Sequence, residues 1–303
     1  METETTIAKA IHNTDKMARY DEACKELLSE KIILAWIMKS CVDEFRDIDV
    51  DKIAATCIEG TPQVSEVPVA PDEATPSQIL GASTEDSTIR EGTITYDIRF
   101  HAIVPKSGDV IRLILNLEAQ NDFYPGYPLT KRGIYYCSRM ISSQYGSVFA
   151  ESHYEDIRKV VSIWVCTNPP VRRQNTITRY HIQEDDFIGN VKEKPANYDL
   201  MTLIMICLGD ASNDYHSDIL KLLGILMSDK MTSDTKCRVL QEDFDIPMTQ
   251  NLERKVGLMC NLSEGVFAKG VEYERENSAR KEKEWQAERE ALTAENSNLS
   301  AEN

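Results

Sequence analysis

The stretch "LILNLEAQNDFYPGYPLTKRGIYYCSRMISSQ" (113–144) changes its hydrophobic period part-way along. Across 109–120 ("DVIRLILNLEAQ"), Ile111, Leu113, Leu115 and Leu117 alternate with Arg112, Asn116, Glu118 and Gln120, the two-residue period of a β-strand. "YPGYP" (124–128) interrupts the alternation with Pro and Gly. Over 129–146 the spacing predicts a helix, with Arg132, Tyr136, Arg139 and Ser143 on one face at i, i+4, i+7 and i+11. A strand ending in Glu-x-Gln thus turns directly into a helix, which places the chain in the α/β class.

The residues just upstream alternate as well. In "TITYDIRFHAIV" (93–104), Ile94, Tyr96, Ile98, Phe100 and Ala102 take one side, and Thr95, Asp97, Arg99 and His101 the other. "KSGD" (106–109) reads as a hairpin connection, so the two runs are expected to pair antiparallel. Further strands are expected at "RKVVSIWVCTN" (158–168), ended by "PP", at "TITRYHIQ" (176–183) and at "LMTLIMICLG" (200–209). "DEACKELLSEKIILAWIMKSCVDEF" (21–45) has helical spacing with no Gly or Pro, and "VDKIAATCIEG" gives a short helix or turn. Residues 61–87 are rich in Pro, Ser and Thr and read as a long surface excursion with little regular structure.

From 214 onward the pattern is helical. The expected organisation is an α/β domain over 1–210, with a loop excursion at about 60–90, a helical region over 211–270, and a charged helical or disordered tail over 271–303. In the tail, Trp285, Leu292 and Leu299 are spaced seven apart, so the C-terminal helices are a candidate homo-oligomer contact.

Asp97, Glu118 and Gln120 fall on the polar sides of two neighbouring strands, with Gln120 on the same side as Glu118. Two gathered carboxylates, with the backbone carbonyl of Ala119 as a further oxygen donor, suit a hard cation such as Mg²⁺. That cation would polarise a phosphodiester. The same alternation also describes an ordinary strand with one side in solvent. Spacing alone leaves both readings open.

The formal net charge of −16 argues against a general nucleic-acid coat but leaves room for an enzyme with a local basic face. Arg132, Tyr136 and Arg139 on the helix, with Arg172 and Arg173 in "VRRQ", are the candidate DNA contacts. The eight cysteines show no CxxC pair and no zinc spacing, and read as free core thiols in a reducing cytosol. No segment reaches the ~20 apolar residues of a membrane span, and the N-terminus lacks the pattern of a secretory signal. A cytoplasmic location is expected.

The segments "YDEACKELLSEKIILAWIMK", "EGTITYDIRFHAIVP", "LILNLEAQNDFYPGYPLTKRGIYYCSRMISSQ" and "VVSIWVCTNPP" cover most of residues 20–170. Together they resemble the PD-(D/E)xK nuclease family transposases, which are related to the bacterial recombination-promoting nucleases. The resemblance implies a restriction-endonuclease-like mixed sheet flanked by helices, with a helical C-terminal extension. It implies a Mg²⁺-dependent DNA endonuclease, with Mn²⁺ as a substitute, linked to recombination or mobile elements. Asp97 matches the first acid of the motif, with Tyr96 where "PD" members have Pro. Glu118 matches the second acid. Gln120 stands where many superfamily members have Lys, and Gln is usual in this family. The first helix would add an acid to the metal, Asp21 or Glu22, and the family pattern "D…K" fits Asp21 and Lys25. A catalytically silent scaffold that binds protein is the second reading left open.

Overall fold

The computed structural model describes residues 18–64, 85–88, 92–105, 110–209, 217–228 and 230–262. The chain divides into two units, Asp21–Cys260 and the two chain ends, Met1–Tyr20 with Asn261–Asn303. The main sheet and the candidate site lie within Asp21–Cys260. Trp285, Leu292 and Leu299, and the "KSGD" connection, lie outside the described residues.

The first helical stretch is two helices. Helix α1 covers 18–28 and α2 covers Lys31–Cys41. They part at Ser29–Glu30, where the Ser29 hydroxyl donates back to the Glu26 carbonyl at 2.8 Å and competes with the helical ladder. After α2 come a short helical turn, Val50–Lys52, and a π turn, Ile53–Cys57. Strand β1 (Ile58–Val64) follows immediately. The expected loop excursion therefore begins inside a strand, and residues 85–88 near its far end form another, β2 (Glu85–Thr88).

β2 pairs with β3 (Gly92–Thr95) in a two-stranded ribbon. The alternating run at 93–104 is thus divided. It ends β3 at Thr95, breaks at Tyr96–Asp97, and resumes as β4 (Ile98–Pro105). β5 (Val110–Gln120) pairs antiparallel with β4, as the alternation predicts. Helix α3 (Leu129–Ser142) follows, then β6 (Val160–Cys166), β7 (Thr176–His181) and β8 (Met201–Cys207). Helices α4 (Asp218–Met227), α5 (Ser233–Phe244) and α6 (250–262) complete the unit. The main sheet has six strands in the order β1-β4-β5-β6-β8-β7. β5, β6 and β8 run parallel, and the outer pairings β1/β4/β5 and β7/β8 are antiparallel. This is an open mixed sheet flanked by helices.

The central strands of the sheet are buried on both sides. One face carries Leu115, Leu117, Ile163 and Ile204, each at 1% exposure or less. The other carries Asn116, Glu118, Ser162, Trp164 and Leu203, at 2% or less. Alternation alone predicts that this second face is solvated. Instead α3 lies across β6 and β8, bringing Leu129, Tyr136, Cys137 and Met140 onto Trp164, Leu203 and Met205. Gly133 permits the close approach. A Cβ there would meet Leu203 Cδ1 at 2.6 Å and Trp164 Nε1 at 3.2 Å.

Helix α4 is buried along almost its whole length, as its apolar composition requires. Its Leu226 carbonyl accepts from the fully buried Lys236 Nζ at 2.9 Å, which satisfies one orphan carbonyl of the last turn. None of the eight cysteines forms a disulfide, and five are buried. No helix among the described residues is long and apolar enough to cross a membrane.

Candidate active site

The break at Tyr96–Asp97 is what builds the site. The β4/β5 register runs to Ile98↔Leu117, so one step further Asp97 stands opposite Glu118. The freed Asp97 amide donates to Glu118 Oε1 at 3.2 Å. In return, the amide of Ala119 donates to Asp97 Oδ2 at 2.9 Å. Each carboxylate is fixed by backbone from the neighbouring strand. Asn116, two residues before Glu118 on the same side, donates its Nδ2 to Glu118 Oε1 at 2.9 Å. Its own Oδ1 is buried without a hydrogen-bond partner among the described residues.

The cation beside the pair comes from the first helix. Lys25 Nζ lies 3.0 Å from Asp97 Oδ1 and 2.6 Å from Asp21 Oδ2. Burial alone would lower the lysine's pKa, but Asp97 and Asp21 outweigh it and hold the ammonium charged well above its usual range. Gln120, at the motif's lysine position, turns away. Its Nε2 donates to the Asp122 carbonyl at 2.5 Å. A positive charge near the acids is therefore present, but on α1 rather than β5. Sequence reasoning places Lys25 in a pattern without giving it a role. The available signal is the Asp21–Lys25 spacing of four on the helix preceding the sheet.

Electrostatics at the pair are unbalanced. Glu118 is 2% exposed. Burial first, and the neighbouring Asp97 second, push its carboxyl well above the ordinary carboxylate range. Burial also raises Asp97, against the opposing pull of Lys25. Arg132 lowers Glu118 in part. Its guanidinium lies over the rings of Tyr136 and Trp164, at 5.0 and 5.2 Å from their centroids. It donates to the Tyr136 hydroxyl at 2.7 and 3.0 Å, and to the Tyr127 hydroxyl at 3.1 Å.

Not every expected residue comes to this place. Arg139, on α3, is 2% exposed, so it has no surface to offer a DNA strand. Tyr136 is also buried, because its face of the helix packs on the sheet. Glu22 is exposed, and Asp21 is engaged by Lys25. His101 faces Glu59 of β1 at 3.9 Å. Arg172 and Arg173 form an exposed single-turn helix, Val171–Arg173, at the end of β6.

Among the described residues, no group of three or more His, Cys, Asp or Glu side chains is gathered to hold a metal ion. The site offers two carboxylates. Mg²⁺ is commonly held by one or two carboxylates, with waters and substrate phosphates completing the shell. The oxygen donors fit such a cation. So does the charge, because a buried carboxyl held above its ordinary range stands beside a second acid that has one ammonium. No family model, curated protein or solved structure matches the chain.

Proposed function

We propose that this chain is a metal-dependent nuclease that hydrolyses DNA phosphodiester bonds within a restriction-endonuclease-like core. One observation carries the reading. Asp97 and Glu118 converge where two strands meet, each pinned by backbone from the other strand, in surroundings that resist their joint ionisation. A structural pair would be better served by a carboxamide or an apolar side chain, since buried unbalanced charge is costly. Perturbed acids of this kind cluster at functional sites.

Asp97 and Glu118 would hold Mg²⁺ or Mn²⁺, with the Ala119 carbonyl as a further donor; when bound, the cation polarises the phosphate and promotes deprotonation of water. The chain's own residues do the rest. Lys25 opposes the burial that raises Asp97 and places positive charge at the edge of the pair. Asn116 fixes the Glu118 carboxylate in one orientation. Arg132 supplies compensating charge from the helix side, locked by two tyrosine hydroxyls. Gln120 has its Nε2 on the Asp122 carbonyl, which leaves its Oε1 and second amide hydrogen for water or a phosphate oxygen.

Purified protein incubated with supercoiled plasmid and Mg²⁺ or Mn²⁺ tests this directly. Nicking is expected from the wild type and not from Asp97→Ala or Glu118→Ala. Equal nicking by all three removes the assignment.

A further inference from the structure

Directly after Gln120, the loop Asn121–Pro128 opens one side of a cavity of about 390 Å³. Phe123, Tyr124 and Tyr127 line it from the loop, Arg172 and Arg173 from the end of β6, and Tyr180 from β7. Its size lies within the range of sites for small organic groups, about 300–1,000 Å³. The walls are built of rings and guanidinium groups. Phe123 and Tyr124 meet edge to face with centroids 5.1 Å apart, and the Arg173 guanidinium lies 5.6 Å from the Phe123 centroid. Tyr124 and Tyr127 remain 63% and 47% exposed. Gly126 holds φ +94° between them, with open space around it, so the loop turns without a side chain filling the mouth.

Two further features describe the ligand. Among the described residues, neither Arg172 nor Arg173 pairs with a carboxylate, in a chain whose net charge is −16. Free cations beside exposed rings in so acidic a protein fit an anion that also carries a flat apolar surface. The cavity is linked to the acidic pair through residues that follow or flank it. Gln120 donates to the Asp122 carbonyl, and the Tyr127 hydroxyl accepts from the same Arg132 that moderates Glu118.

We propose that this cavity takes an unstacked base of single-stranded DNA on Phe123, Tyr124 and Tyr127, with the flanking phosphates on Arg172 and Arg173. The choice of a polynucleotide rests on the nuclease reading; the requirement for an unpaired base is new. Aromatic rings offer faces that bases in a duplex cannot reach, because those bases are already stacked on each other. Base stacking on aromatic side chains tolerates any sequence, so the cavity sets a preference for single strands, flaps or splayed ends without reading a motif.

The test is fluorescence anisotropy in EDTA, where no cleavage occurs. The full chain is titrated into labelled oligo(dT) of about twelve nucleotides, an abasic strand of equal length and charge, the matching duplex, and oligo(U). The base-bearing DNA strand is expected to bind about tenfold more tightly than the abasic one, the size of one good stacking contact. Tyr124→Ala, at an exposed position, should remove most of that difference without changing the circular dichroism spectrum. Arg173→Gln should weaken both strands alike and reduce the salt dependence. Equal affinity for base-bearing and abasic strands, tighter binding of the duplex, or base dependence seen with oligo(U) alone would each overturn the proposal. Plasmid nicking is scored separately. Nicking without base dependence sinks this proposal and leaves the nuclease reading, and base dependence without nicking does the reverse.

Discussion

Glu118 accepts the backbone amide of Asp97 at 3.2 Å, and Asp97 accepts the amide of Ala119 at 2.9 Å. The two acids are thus crossed over each other's strands. Neither can leave without freeing a backbone donor in a buried place, and neither is given a full complement of positive charge.

The first consequence is a stability that depends on pH. Burial, then Asp97, hold Glu118 in the fold above its ordinary value, so the folded chain binds that proton more tightly than the unfolded chain. The stabilisation is complete below the unfolded value of about 4.3 and is lost as pH rises through the raised value, at about 1.4 kcal/mol for each pH unit that separates the two. Asp97 is raised as well and acts in the same direction. Melting temperature in EDTA should therefore fall as pH rises above the ordinary carboxylate range. Glu118→Gln should flatten that fall, and Mg²⁺ at neutral pH should stabilise the wild type more than the variant. Thermal melts followed by circular dichroism over a pH series decide it. An unchanged slope in Glu118→Gln would remove the carboxyl from the account.

A second expectation separates Lys25 from Gln120. If the useful cation sits on α1, Lys25→Met should lower the nicking rate about a hundredfold, the usual loss on removing one electrostatic contributor to a transition state, while Gln120→Ala costs less than about tenfold. Lys25→Met should also destabilise the fold by about 1–3 kcal/mol, because Asp97 loses its counter-charge in a partly buried place. Initial rates on folded protein, with urea melts alongside, check both. Equal rate losses for the two variants would return the lysine's role to the β5 position.

Much of this arrangement was legible in the sequence, for a physical reason. The period of two in 93–104 and 109–120 is local, and it sets the β4/β5 pairing that puts Asp97 across from Glu118. The partners of those acids are not local. Asn116 and Glu118 read as a solvated side because the helix that covers them is brought down by Gly133, and a glycine inside a helix gives no hint of what it touches. The same burial removes Arg139 from any DNA surface, although its spacing from Arg132 matches a docking face. Lys25 lies on a helix whose approach to the strand end is a tertiary fact. The division of the first helix at Ser29 depends on a hydroxyl that can serve either the helix or the turn.

The helix–sheet approach has its own test. An Ala for Gly exchange inside a helix ordinarily gains about 1 kcal/mol. At Gly133 the added methyl would lie 2.6 and 2.9 Å from the two Leu203 methyls, which are themselves buried. Overpacking of this kind costs about 1–3 kcal/mol, so Gly133→Ala should be net destabilising. Leu203→Ala should partly rescue it, giving a favourable coupling in a double-mutant cycle. A raised urea midpoint for Gly133→Ala alone would mean that Leu203 swings aside.

Arg132 can be assigned by the pH dependence of activity. As a phosphate contact, its loss would weaken DNA binding at every pH and reduce the salt dependence. The structure offers a different role, because its charge lowers Glu118 while two tyrosine hydroxyls hold it in place. Removing that charge leaves burial and Asp97 unopposed and raises Glu118 further. The acidic limb of the rate profile for plasmid nicking, which follows ionisation of the acid, should then move to higher pH in Arg132→Gln. Arg132→Lys, which keeps the charge, should leave the limb near its wild-type position. Tyr136→Phe, which removes the acceptor of the 2.7 and 3.0 Å contacts, should fall between the two, because the guanidinium stays charged but is less firmly placed. A uniform drop in rate for Arg132→Gln, with the limb unmoved and a weaker response to salt, would make Arg132 a DNA contact and leave Glu118 to be balanced by the bound cation alone.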